Sequence, residues 1–173
     1  MPEFIADTDG TVHGLEWSDL ASFTQGYIEA MLFTETSCIP MVEWEDPESQ
    51  ERLEEGTADG NIPMDAGFGD IHPDTFDRIQ ADCIAFEHQA AVALGLSSLA
   101  QLRNDRDYTM AQAGRDFWFT RNGHGVGFWD RQELDEDGFG EALSKIAKGF
   151  GETWASFNPD PASPTGYGYI WLD

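Results

Sequence analysis

An apolar stripe recurring at three- and four-residue intervals runs through the middle of this chain: Phe76, Ile79, Cys83, Phe86 and Ala90. That spacing places the side chains on one face of an α-helix over about 73–94. His72-Pro73-Asp74 opens it, because proline suits the first helical turn and an early acid suits the positive end of the helix dipole. Gly95 is the stop signal. Leu20, Phe23, Tyr27, Ala30 and Met31 repeat the pattern and predict a helix over about 19–34, with Ser18 as its N-cap. Leu143, Ile146 and Phe150 predict another at about 139–150. A shorter helix is expected over 98–104 and a helical turn over 109–115.

The β signal enters after these. Two aromatic runs flank Asn122-Gly123, a dipeptide that reads as a tight hairpin turn between β-favouring segments. Strands are expected at about 117–121 and 126–130. Thr153 to Phe157 and Tyr169 to Leu172 read as two more, joined by a Pro-rich loop over 158–167. The expected class is α+β: N-terminal helices followed by a small antiparallel sheet of about four strands with one interrupting helix. A length of 173 residues predicts a single domain over 1–173, and 12 Phe with 6 Trp supply its core. At least one of Trp118 and Trp129 is expected to be buried.

Between the first two long helices the chain changes character. Glu35, Glu43, Glu45, Asp46, Glu48, Glu51, Glu54, Glu55 and Asp59 face one base, Arg52. Pro40, Pro47 and Pro63, with Gly56, Gly60, Gly67 and Gly69, punctuate the same stretch, so an acidic, loop-rich excursion is expected at about 35–70. The whole chain carries 33 acids against 9 Lys and Arg, a net charge of −24. A bare phosphate backbone or an anionic membrane would be repelled. The expected partner is a basic, nucleic-acid-binding host protein, met by an acidic face of Glu43, Glu45, Asp46, Glu48, Glu51, Glu54, Glu55 and Asp59; no direct nucleic-acid contact, membrane or cofactor is expected. Adaptation to high salt, or an adapter whose charge serves only solubility, would leave the same composition. Met1 to Asp7 lacks the basic and apolar regions of a signal peptide, and no stretch approaches the ~18 apolar residues of a membrane span, so a cytoplasmic location is expected. Cys38 and Cys83 form no CxxC pair, and their pairing stays open.

Candidates for chemistry are few. His124 is bracketed by Gly123, Gly125 and Gly127, and the segment Arg121, Asn122, Gly123, His124, Gly125 is the most distinctive in the chain. His124 reads as a general base or ligand aided by Arg121, Asp116 or Asp130, or as the tip of a bulged hairpin with local hydrogen bonds. No Ser, Cys or second His stands at a recognised spacing from it, so no catalytic residue is assigned. Glu133, Asp135 and Asp137 ahead of Gly138 resemble the front of a calcium loop, but the twelfth position is Ser144 where a bidentate Glu is needed, which favours a solvated turn. His13, His72, His88 and His124 are scattered and make no zinc signature. Asp82 and Glu87, five residues apart, do not share a helix face and read as solvated.

The stretch from Phe117 to Asp130, FWFTRNGHGVGFWD with Ala113-Gly114 before it, resembles a segment of small acidic proteins encoded by phages, prophages and plasmids. Phe23 to Ala30 is similar to their opening helix, and Ile71 to Phe86 to their middle helix, where an acid, Cys and Phe recur. The resemblance covers about two thirds of the chain and departs at 39–60 and 158–167. It implies a mobile-element accessory role in the host cytoplasm and no catalytic mechanism. With the charge, it makes an acidic decoy the leading expectation: a nucleic-acid mimic that inhibits a restriction or CRISPR defence component. A small enzyme or metal-binding protein using the His124 hairpin, and an acidic adapter without mimicry, are the alternatives.

Overall fold

The computed structural model describes residues 6–102, 107–135 and 137–173. Among them are five α-helices, α1 (Ser22–Glu35), α2 (Pro47–Glu54), α3 (Pro73–Leu94), α4 (Met110–Arg121) and α5 (Phe139–Gly149), followed by strands β1 (Ala155–Pro159) and β2 (Gly168–Leu172). The class is α+β, with helices preceding a small antiparallel sheet. The expected helix over 98–104 runs into residues outside those described.

Contacts divide the chain into two compact units that alternate in sequence. One comprises the described residues up to Leu20, Met31–Asp77 and Trp154–Asp173. It holds α2 and the sheet, whose strands pair from Ala155 with Leu172 to Pro159 with Gly168. On the outer edge of β1 the Phe157 N–H donates to the Asn61 carbonyl at 3.0 Å; on the outer edge of β2 the His72 N–H donates to the Ile170 carbonyl at 3.0 Å. Trp44, Phe68, Phe76, Phe157, Ile62 and Ile170 fill this unit's interior.

The other unit comprises Ala21–Ala30 and Arg78–Thr153. Its core is aromatic. Phe86 stacks on Phe117 with ring centroids 4.2 Å apart, and Tyr27 meets Trp118 edge-on at 5.2 Å. Helices α1 and α4 approach so closely that a Cβ built on Gly26 would stand 1.9 Å from the Ala111 carbonyl oxygen, and one on Gly114 would stand 1.9 Å from the Phe23 carbonyl oxygen. No side chain fits at either position.

Several expectations are corrected here. Two strands rather than about four are present among the described residues. The segment expected as strand at 117–121 is the second half of α4, and 126–130 ends in a single 3-10 turn at Phe128–Asp130. Thr109 caps α4 by accepting the Gln112 N–H at 3.2 Å. Burial of Phe117, Trp118, Phe119 and Thr120 overrides the β preference of aromatic residues. Asn122-Gly123 is a helix stop, not a hairpin turn. Gly123 has φ +68°, the His124 N–H reaches the Phe119 carbonyl at 3.0 Å and the Gly123 N–H the Thr120 carbonyl at 3.4 Å. Those two bonds make the Schellman pattern. Gly95 closes α3 with the same pair of bonds, Leu96 to Ala91 and Gly95 to Val92. Helix α1 begins at Ser22, not near Ser18, because Asp19 accepts the Glu16 N–H at 2.9 Å and closes a separate 3-10 turn. The acidic excursion is also better ordered than expected. Asp46 caps α2 through the Glu48 and Ser49 N–H groups at 3.1 and 3.4 Å, and Pro47 occupies the first helical turn. Ile39, Met41, Trp44, Ala58 and Ile62 from this stretch enter the core. Trp118 is fully buried, whereas Trp129 is 43% exposed.

Gly-to-Ala changes inside helices ordinarily add up to ~1 kcal/mol of stability. At Gly114 the sign should reverse, because the new methyl collides with backbone; overpacking of this kind costs about 1–3 kcal/mol. Urea unfolding of Gly114→Ala should show that loss, and unchanged or increased stability would refute the close crossing.

Candidate functional site

The acids of the excursion fall into two groups. Glu35 and Asp70, at its ends, are buried. Burial pushes both carboxyls upward, opposed at Glu35 by the Asn61 side chain and at Asp70 by the Gly67 N–H, 2.9 Å from Oδ2. Glu43, Glu45, Asp46, Glu48, Glu51, Glu54, Glu55 and Asp59 are all exposed. Asp46 is engaged as the cap of α2, and Asp59 sits in a left-handed turn at φ +63°. On α2 the spacing of Glu48, Glu51 and Glu55 aligns them along one side of the helix. Arg52, the one base of this stretch, donates to the Cys38 sulfur at 2.8 Å.

Beside these acids the same unit has two adjoining clefts. One, of about 510 Å³, runs along Trp44, Leu53, Asn61 and Ser156 to Pro159. The other, of about 390 Å³, is bounded by Val42, Pro161, Asp160 and Tyr167. Trp44, Glu45, Phe157 and Pro159 line both. The Trp44 and Phe157 rings meet edge-on at 5.6 Å. Trp44 is held by its N–H to the Met41 carbonyl at 3.1 Å and by the Gln50 side chain, which donates to its carbonyl. Sequence reading missed these residues. A tryptophan amid carboxylates was the available signal, but its partner Phe157 lies more than a hundred positions away.

The His124 segment is assembled differently from the expectation. Arg121 turns inward and is 3% exposed; it donates to the Tyr27 hydroxyl at 3.0 Å, to Asp82 at 2.8 Å and to the carbonyls of Gly151 and Phe150 at 2.9 and 3.2 Å. Its guanidinium also lies 5.4 Å from the Phe117 ring centroid. Asp82 is therefore an ion-pair partner and not a solvated acid, and Glu87 is partly buried, with its carboxyl pushed upward by that burial. Asp116, fully buried, accepts both Arg131 and the Tyr108 hydroxyl, the latter at 2.6 Å. Asp130 is exposed. None of these three reaches His124, whose ring packs edge-on to Phe119 at 5.8 Å and whose pKa burial lowers. Asn122 accepts the Thr153 N–H at 2.9 Å through its side chain; Gly125 is exposed. Arg121 and the Asn122 side-chain oxygen thus serve the fold of their own unit, whereas Asn122 Nδ2 and His124 Nε2 are buried without a hydrogen-bond partner among the described residues.

Glu133, Asp135 and Asp137 follow the 3-10 turn at 128–130, with Glu133 in a second such turn. Among the described residues no group of three or more His, Cys, Asp or Glu side chains is placed to hold a metal ion. Cys38 and Cys83 are free thiols, and among the described residues no helix is long and apolar enough to cross a membrane.

Two measurements check this electrostatic arrangement. Removing one partner of a fully buried ion pair costs about 3–5 kcal/mol; the Asp82 side chain left behind here is 26% exposed, which puts the loss at the low end of that range. Arg121→Met should lose that much stability in denaturant unfolding, while His124→Ala should lose far less; equal losses would contradict the assignment. Asp70 supplies the second. A carboxyl whose pKa is raised by folding favours the folded state when protonated, fully so below the unfolded pKa, and this contribution is lost as pH rises through the folded value. Asp70→Asn keeps an acceptor for Gly67 and removes the ionisation. Its melting temperature relative to wild type should therefore climb between acid and neutral pH, and a pH-independent difference would refute the shift.

No known protein family, curated protein or solved structure matches this chain.

Proposed function

We propose that the chain is an acidic binding protein that acts as a nucleic-acid mimic, inhibiting a basic host protein such as a restriction or CRISPR component by occupying its nucleic-acid site. The resemblance to phage and plasmid accessory proteins and a host-cytoplasm location belong to the same proposal. The observation that carries it is the presentation of the acids from 43 to 59: every one is exposed, on a short helix and turns anchored by buried Ile39, Met41, Trp44 and Ala58.

Magnitudes set the terms. An accessible surface of 8946 Å² bearing a net charge of −24 averages one charge per about 370 Å². A duplex presents one phosphate per ~1.7 Å of axis, or about 100 Å² of its cylinder. Mean density therefore cannot support mimicry; local density must. Along α2, the rises from Glu48 to Glu51 and from Glu51 to Glu55 are about 4.5 and 6 Å at 1.5 Å per residue, within a factor of two of the ~3.4 Å per phosphate of one strand. Solvated acids contribute little to stability, so they can be exchanged without unfolding the chain.

A partner captured from host lysate at low salt and then purified supplies the test. Its affinity should fall steeply with ionic strength. The variant carrying Glu43→Lys, Glu45→Lys, Glu48→Lys and Glu51→Lys should keep its melting transition and lose binding. Duplex DNA should compete, since two ligands of one site exclude each other. Full binding by the reversed variant, salt-independent binding, or simultaneous binding of DNA would overturn the proposal.

A further inference from the structure

The two clefts flanking the Trp44–Phe157 pair share four residues and so form one groove with two lobes. We propose that this groove binds an extended basic segment of the partner protein and seats one arginine or lysine side chain in the lobe bounded by Val42, Tyr167, Glu45 and Asp160. This rests on the acidic-binding reading above and names the element of the partner that is recognised.

Charge complementarity selects the occupant. Glu45 lines both lobes and Asp160 one, and neither lobe is lined by Lys or Arg. A second copy of this chain, itself at −24, would be repelled. The walls suit a long basic side chain. Val42 is 69% exposed and Tyr167 47% exposed, so they offer apolar surface that a methylene stem can cover. The Tyr167 ring can also face a cation, which attracts through the ring quadrupole. The other lobe is lined by Ser156 and Asn158, neutral groups of the kind that meet main-chain amides, beside Gln50 and Asn61, whose side chains are engaged with the Trp44 carbonyl and Glu35. Volumes of about 510 and 390 Å³ fit a short segment rather than the face of a folded domain. The walls are pre-organised: Trp44 is fixed through Met41 and Gln50, and β1 is tied to Asn61 through the Phe157 N–H. A rigid groove orders little on binding.

The probe is a short fluorescent peptide of alternating arginine and leucine, titrated at low salt against the full chain. Glu45→Gln with Asp160→Asn removes the two groove carboxylates; asparagine retains an acceptor for the Ala162 N–H, which Asp160 receives at 2.8 Å. Glu48→Gln with Glu51→Gln removes equal charge from α2 outside both lobes. The groove pair should weaken binding about tenfold, the outside pair about twofold, in proportion to proximity. Tyr167→Ala should weaken binding several-fold without change of charge, and a glutamate–leucine peptide should not bind. Equal losses from the two Gln/Asn pairs, or no loss from Tyr167→Ala, would overturn the groove while leaving a diffuse acidic face intact. Absence of arginine–leucine binding to the wild-type chain, or equal binding of the glutamate–leucine peptide, would also overturn the groove; the purified-partner experiment reads the broader proposal independently.

Discussion

The close crossing of α1 and α4 sets the geometry of its unit. At Gly26 and Gly114 the backbone of one helix lies where the other would carry a side chain. That approach brings Phe23 and Tyr27 onto Phe117 and Trp118, and the aromatic cluster continues through Phe86 to Phe128 and Phe150. Large rings fill the space around a contact made by the smallest residues. The strong β preference of the aromatic run at 117–119 yields to this packing, because those rings bury more surface in the helix crossing than an exposed hairpin could offer.

The crossing also explains how a chain with few cations uses them. Arg115, Arg121 and Arg131 pair with Glu29, Asp82 and Asp116 within this unit. Arg121 and Asp116 are buried, and each is surrounded by partners that satisfy it. Arg115–Glu29 ties α4 to α1 and Arg121–Asp82 ties α4 to α3, and intact buried pairs of this kind add little net stability. Their second consequence is external. Three of the nine basic residues are committed to carboxylates of the same unit, so they do not neutralise the exposed acids at 43–59.

In the other unit, acidity and aromatic packing are interleaved in one stretch of chain. Trp44 stands between Glu43 and Glu45 and is buried, while both neighbours are exposed. The Asp46–Pro47 cap then turns the chain into α2 and carries the following glutamates outward. On the proposed reading, an acid surface beside an aromatic-floored groove would combine long-range attraction with a place for a specific side chain. The first governs encounter and the second discrimination.

By itself, the sequence determined features whose cause is local. The stripe Phe76 to Ala90 with Pro73 before it and Gly95 after it specified α3 to the residue, since periodicity, start and stop all lie within that segment. The last two strands, α5 and the acidity at 43–59 were legible for the same reason. Tertiary structure decided whatever depended on distant partners. Asn122-Gly123 suits either a hairpin or a helix end, and only the packing of α4 on α1 selects the second. Arg121 looked like an aid to His124 at close sequence range, but Tyr27 and Asp82, far along the chain, draw it the other way. The groove could not be read at all, because Trp44 and Phe157 acquire a common surface only when β1 is tied to Asn61. Local chemistry can propose a turn, a cap or a charge; which side chains share a space is settled by contacts that no local pattern records.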